Sequence, residues 1–368
     1  MKKIFLLVFC TIAIPSLAQV DLQKIDKYLT TMQKEWNVPS ITVGIVKDGK
    51  LVFCKGYGEK EVGKNNKPDG NTLYAVASNS KAFTASAIAL LVQEGQLEWD
   101  DKVKDYLPYF QLYDEYVTEK TTIKDILSHR VGLGTFSGDV IWYRSDLNSE
   151  EILKRVQYLE PVFNFRAGYG YSNVMYTAAG EVLKAVSGKE WDEFIRENFL
   201  TPLGMNRSIT SIRNLAETSN YATPHALVDG ENVPIEWTNW DAVGPMGGII
   251  SSVNDMAQWV IFNLNNGIWQ GDTILSERSR NLLWTPHNNY VVDHTDLDFA
   301  THFRGYGLGW GLSDYHGNLK VGHSGGYDGM ITYVQMIPDE DLGVIVLTNG
   351  MKSPIVAAAN YIIDSYLG

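Results

Sequence analysis

The chain has 368 residues, 45% of them hydrophobic and 20% charged, with a formal net charge of −12. That balance describes a folded globular protein and excludes a disordered one. The acidic charge argues against nucleic-acid binding, which needs a basic face, and two cysteines cannot form a disulfide framework.

Residues 1–18 stand apart from the rest. Lys2 and Lys3 precede an apolar run from Ile4 to Ile14, and Ser16-Leu17-Ala18 ends it with small residues two apart. This is the pattern of a secretory signal peptide cleaved after about Ala18. The run is too short for a transmembrane span, and Phe9 before Cys10 argues against a lipoprotein signal. The expectation is an exported protein, periplasmic or secreted, without a membrane anchor. The mature chain, 19–368, is read as a single domain with a net charge of −14, since cleavage removes two lysines and no acids. Its remaining cysteine, Cys54, lies among Leu51, Val52 and Phe53 and is expected to be a small core hydrophobe.

Leu22, Ile25, Leu29 and Met32 recur at three- and four-residue spacing, which predicts an amphipathic helix over 20–36. Residues 41–46 and 50–54 are β-rich and joined by Lys47-Asp48-Gly49, a hairpin signal. A long helix is predicted to start around Ser78 and to stop at Gly95. Thr122 can cap a short helix to Leu127, and further helices are predicted over 150–158, 171–186, 190–200 and, capped by Ser252, from about 253 to 264. After Gly305 the runs 306–310, 319–322, 330–337 and 342–348 are strand-like, with separators that include 324–329. A helix over 354–366 closes the chain. Strands at both ends with helices between predict an α+β fold. One antiparallel sheet would combine the first hairpin and the last strands (about 19–60 and 305–368), flanked by the terminal helices. A helical lobe of about 61–265, with loops to 304, would be inserted between them.

Ser78-Asn79-Ser80-Lys81 places a hydroxyl and an amine on one helix face. A serine hydroxyl becomes a useful nucleophile when a neighbouring base takes its proton. Two later clusters accompany this S-x-x-K: Tyr171-Ser172-Asn173 (Y-x-N) and His323-Ser324-Gly325-Gly326. In that order, S-x-x-K, Y-x-N and H-S-G resemble the serine β-lactamase and penicillin-binding-protein superfamily, class C-like branch, which includes esterases and D-aminopeptidases. Residues 122–129, 200–205, 247–252 and 306–310 also resemble that family, so the likeness runs from about 41 to 350.

The resemblance implies a serine hydrolase without cofactor or metal, acting through an acyl-enzyme on a small-molecule or peptide substrate. Ser78 is then the nucleophile and Lys81 its proton-accepting partner. Tyr171 becomes a base that also serves the deacylating water, its phenolate favoured by the lysine cation. Asn173 would hold Lys81 and the substrate's amide or ester group. The backbone N–H groups of Ser78 and Gly326 would form the oxyanion hole beside Ser324 and Gly325. His323 departs from the lysine of true β-lactamases. It favours an esterase or D-amino-acid peptidase-like activity, and leaves open a class C β-lactamase or a slowly turning-over penicillin-binding sensor.

Some tempting residues have bland readings. His129 is read as structural. Trp142 and Trp310 are as readily core packing as cleft lining, and Asp139 is a cleft candidate. Gly322-His323-Ser324-Gly325-Gly326 also matches the G-x-S-x-G nucleophile elbow. That elbow needs a helix after its serine and a later histidine, and the sequence has neither.

Overall fold

The computed structural model describes residues 20–292 and 301–368. The signal-peptide reading of residues 1–18, and the middle of the loop 288–303, lie outside the described residues.

The hairpin strands β1 (Ser40–Lys47) and β2 (Lys50–Gly58) join six later strands in one sheet: β3 (Asn288–Asn289), β4 (Arg304–Tyr306), β5 (Gly311–Tyr315), β6 (Asn318–Tyr327), β7 (Met330–Ile337) and β8 (Leu342–Thr348). Its order is β2-β1-β8-β7-β6-β5-β4-β3, antiparallel throughout. The first and last parts of the chain therefore meet where Ile41 pairs with Thr348 and Lys47 with Leu342.

Alternation divides the strands between two cores. Ile41, Val43, Ile45, Leu342, Val344 and Val346 face the terminal helices α1 (Leu22–Glu35) and α5 (Ile355–Leu367). Val46, Ile345 and Leu347 face the helical lobe instead. With both faces covered, every residue of β8 is buried, which is why its sequence is a continuous apolar run. Helix α4 (Val253–Leu264) lies close against the sheet because two glycines leave room for it. A Cβ at Gly44 would come 2.4 Å from Val253 Cγ1, and one at Gly343 would come 2.3 Å from Val260 Cγ1.

The lobe is built around α2 (Ser80–Gln93), of which every residue from Ser80 to Leu91 is buried. Lys81 is its only charged side chain, and a helix that is apolar all round belongs inside a protein. Helix α3 (Asn173–Ser187) packs beside it and ends at Gly188, whose φ of 71° is the left-handed cap. Trp310 is 1% exposed and stacks near Trp259, so it is core rather than cleft.

Three expectations are corrected. Cys54 is exposed, because β2 is the sheet's edge strand. Of the run 306–310 only Tyr306 is in a strand; the rest turns between β4 and β5. The separator expected over 324–329 shrinks to a tight turn, since β6 runs through Ser324 to Tyr327 and the chain reverses at Asp328-Gly329. The glycines there obscured a strand whose backbone pairing with β7 continues from Val321 to Tyr327.

An ion cluster around the buried Asp125 carboxylate fixes the loop that leads from the short helix Ile123–Leu127 to α3. Asp125 accepts Arg130 Nε at 2.6 Å, Arg166 Nη2 at 2.6 Å and the Thr122 backbone N–H at 2.9 Å. Burial alone would push the Asp125 carboxyl up, but Arg166, Thr122 and Arg130 outweigh it and hold it below the usual range. Asp125→Asn should therefore lower the unfolding free energy by about 3 kcal/mol in denaturant titrations near neutral pH. The folded carboxyl is depressed, so the full difference is expected above about pH 4 and should fade as pH drops through its folded value. A difference below about 1 kcal/mol, or one indifferent to pH, would contradict this role.

Candidate active site

Ser78 does not open α2 as a regular helical residue. It sits in a single 3-10 turn, Ala77–Asn79, that leads into the helix. Ala77 is buried with φ at +47°, a left-handed conformation that costs a residue with a Cβ about 1 kcal/mol. Neighbouring backbone holds it there. Val76 N–H donates to Ile249 O at 3.0 Å, and Ile249 N–H donates to Ser80 Oγ at 3.0 Å. Across the cleft, β6 comes so near that a Cβ at Gly325 would lie 2.2 Å from Val76 O. Glycine is required at 325 for this approach.

Lys81, one turn beyond Ser78, is wholly buried. Its Nζ lies 3.0 Å from Ser78 Oγ, 2.8 Å from Asn173 Oδ1 and 2.7 Å from the Met246 carbonyl oxygen. Burial pushes its pKa well below the usual lysine value, against the pull of Asp139. A neutral amine has two N–H donors and one lone pair. Asn173 Oδ1 and Met246 O can only accept, so in the neutral form they would take the two N–H groups and leave the lone pair for the Ser78 hydroxyl. Asn173 Nδ2 in turn donates to Asp139 Oδ2 at 2.8 Å, and Trp142 Nε1 donates to Asp139 Oδ1 at 3.1 Å.

Tyr171 ends the irregular segment before α3, with its ring 4.9 Å from Lys81 Nζ. Burial pushes its hydroxyl well above the ordinary tyrosine value; bonding to Ser78 opposes this, while Tyr169, Tyr176 and Asp139 add to it. The expectation of a phenolate stabilised by a lysine cation is thereby corrected. The same burial that lowers the proton affinity of Lys81 holds the proton on Tyr171. His129 lies behind the tyrosine, fully buried and left-handed at φ +59°, with its ring 4.5 Å from that of Tyr171. Its Nδ1 accepts the Ser172 backbone N–H at 3.0 Å, so it anchors the Y-x-N segment from behind.

His323, on β6, is almost fully buried. Its Nδ1 has the Ser324 carbonyl as partner and so carries the proton, which leaves Nε2 to accept from Tyr306 Oη at 3.0 Å. Burial lowers its pKa to about 4. A neutral, tautomer-fixed imidazole stands where a permanent cation would otherwise be.

Ser78, Tyr171, Asn173, His323, Ser324, Gly325 and Gly326 line one cavity of about 900 Å³, with Lys81 directly beneath its floor. Asp139 and Trp142 line it as well. The Met246 carbonyl is the group that sequence reasoning missed. A backbone acceptor has no side-chain signature, although residues 247–252 drew attention beside it. Among the described residues no three His, Cys, Asp or Glu side chains converge as a metal site requires, and no helix is long and apolar enough to cross a membrane.

Comparison with known proteins gives a consistent picture. The Beta-lactamase family model matches residues 25–367. The chain is 31% identical over 329 residues to unguisins hydrolase ungD′ of Aspergillus campestris, covering 85% of this chain and 59% of that protein. It is 28% identical over 346 residues to protein flp of Staphylococcus aureus, covering 89% and 63% respectively. The chain thus spans less than two thirds of the length of these curated relatives. Among solved structures, the octameric penicillin-binding protein homologue of Pyrococcus abyssi matches with a TM-score of 0.84 at 28% identity, over 95% of this chain and 78% of that one.

The histidine environment is open to direct measurement. In a side-chain NMR titration His323 is expected to titrate near pH 4 and to show the Nδ1–H tautomer throughout the neutral range. Titration near pH 6.5, the ordinary value, would contradict the buried, uncharged assignment.

Proposed function

The chain belongs to the Beta-lactamase family, and from that premise we propose that it is a serine hydrolase working through an acyl-enzyme formed on Ser78. The observation that carries this reading is the arrangement around Lys81 Nζ, with two pure acceptors on one side and the Ser78 hydroxyl on the other.

In the reaction, the Lys81 lone pair takes the Ser78 proton as Oγ attacks the substrate carbonyl carbon. The backbone N–H groups of Ser78 and Gly326 receive the developing oxyanion. As the tetrahedral intermediate collapses, the Tyr171 hydroxyl protonates the departing oxygen or nitrogen and recovers its proton from the Lys81 ammonium. Water then attacks the acyl carbonyl and gives its proton to the same tyrosine–lysine pair, which returns one to Ser78 Oγ. Both groups end as they began, neutral. Asn173 positions Lys81 and donates or accepts at the substrate's amide or ester group, and Ser324 and Gly325 form the strand edge along which it lies.

We favour an ester or an amide, as an esterase or a D-amino-acid peptidase cleaves, over a β-lactam. His323 supports this, because an uncharged imidazole supplies no fixed cation for a β-lactam carboxylate. The pattern of residues 1–18 supports an exported enzyme, and N-terminal sequencing of the secreted product should begin at about Gln19.

Ser78→Ala should abolish both hydrolysis and covalent labelling by a fluorophosphonate; labelling that persists in this variant would overturn the assignment of the nucleophile. Tyr171→Phe should slow turnover by about 10²-fold or more, the usual cost of losing a proton-transfer group. Turnover at the wild-type rate would remove Tyr171 from the mechanism.

A further inference from the structure

A second chamber opens off the catalytic cavity, on the face of the sheet that carries α5. Alternation along β6 turns His323 toward the lobe and its neighbour Gly322 toward this other face. Gly322 pairs in register with Gly311 of β5, so two facing glycines leave the sheet bare there. The chamber holds about 290 Å³. Gly311, Gly322, Tyr333 and Gln335 line both it and the catalytic cavity, which makes the two continuous.

Two primary amides border this space at positions where the surrounding pattern is apolar. Gln335 alternates along β7 with Ile331, Tyr333 and Ile337, which pack toward the terminal helices, and it is only 6% exposed. Asn360 lies on the buried face of α5 beside Ala359, Ile362 and Ile363, and is 7% exposed. Neither side chain has a hydrogen-bond partner among the described residues, and Asn360 Oδ1 is fully buried. An amide left in that state costs free energy, and an apolar side chain of the same shape would avoid the cost. Gly322 is what admits the Gln335 amide: a Cβ there would come 2.5 Å from its Cδ and its Nε2.

The cations at the chamber are already engaged. Arg304 Cζ lies 5.5 Å from the centre of the Tyr290 ring and Lys320 Nζ 4.5 Å from that of Tyr315, and neither is without a partner. The two amides are the groups that await one. Each offers N–H donors and a carbonyl acceptor, so the matching group both donates and accepts and carries no charge.

We infer that the chamber is a binding subsite for a neutral carboxamide, held by Gln335 and Asn360, which receives a part of the ligand remote from the reacting carbonyl. Its place in catalysis rests on the serine-hydrolase reading, although the subsite itself is a matter of binding. Gln335 and Asn360 would then select among ligands without touching the reacting atoms.

The test uses the full chain carrying Ser78→Ala, which leaves the probes uncleaved, with 15N in its glutamine and asparagine side chains. The Gln335 and Asn360 amide signals are assigned from Gln335→Met and Asn360→Leu. Each is followed by NMR as N-acetylglycinamide, N-acetylglycine or acetonylacetone is added. The first probe carries two neutral amides, the second exchanges one for a carboxylate, and the third keeps both carbonyls without an N–H. Both signals should shift and saturate with N-acetylglycinamide, at a dissociation constant about tenfold or more below that of either other probe. Gln335→Met should weaken that binding by about tenfold, read at the Asn360 signal. Shifts that never saturate would mean a chamber holding water only, and would overturn the inference. Equal binding of acetonylacetone would do the same, as would tighter binding of N-acetylglycine, which would hand the chamber to Arg304 and Lys320. Undiminished binding in Gln335→Met would also overturn it. Fluorophosphonate labelling of the enzyme with Ser78 intact reads the serine chemistry separately, so failure of one is not mistaken for failure of the other.

Discussion

The site depends on an amine held inside the protein. A lysine buried in the first turn of an apolar helix is a costly arrangement, since burial of an ammonium group is opposed by several kcal/mol of lost hydration. The fold resolves this by lowering the lysine's proton affinity and by giving its N–H groups two acceptors that are not charged. Those acceptors come from α3, through Asn173, and from the segment before α4, through the Met246 carbonyl. A third direction is left for Ser78. Three remote parts of the chain must be packed correctly before the serine has a base, so the chemistry is a consequence of the lobe's folding.

The supporting structure follows from the same requirement. Ala77 adopts a left-handed conformation so that Ser78 projects into the cleft, and the Ile249 backbone bonds hold the turn on both sides. Gly325 lets β6 approach that turn, bringing Gly326 and His323 to the opposite wall. His129 and the Asp125 ion cluster pin the loop that presents Tyr171. Charge is kept low around the reacting atoms: the lysine is biased to neutral, the tyrosine stays protonated and His323 is an uncharged imidazole. Asp139 is the exception, and its position beside Asn173 and Trp142 gives the cavity its polarity.

Much of this was legible in the residues. The α+β order and the terminal strands forming one sheet follow from periodicity, whereas the convergence of Ser78, Lys81, Tyr171, Asn173 and His323–Gly326 was implied by the family that the three ordered motifs resemble. Other features were hidden for physical reasons. The glycines at 325 and 326 looked like a turn because glycine favours turns, whereas both lie in a strand and the small size of Gly325 lets it pack closely. Cys54 looked apolar by its neighbours, but only tertiary placement makes β2 an edge strand. The protonation of Tyr171 was misjudged because proximity to a lysine can be read from spacing, whereas burial cannot. The Met246 carbonyl left no trace in residue identity at all.

The central claim is that burial gives Lys81 a lone pair at working pH. It can be measured directly by NMR titration of the enzyme carrying 13Cε-labelled lysine, with the Lys81 signal assigned by comparison with Lys81→Arg. The account predicts that Lys81 loses its proton well below the pH at which the surface lysines titrate. A Lys81 signal that titrates with them, near pH 10.4, would contradict it.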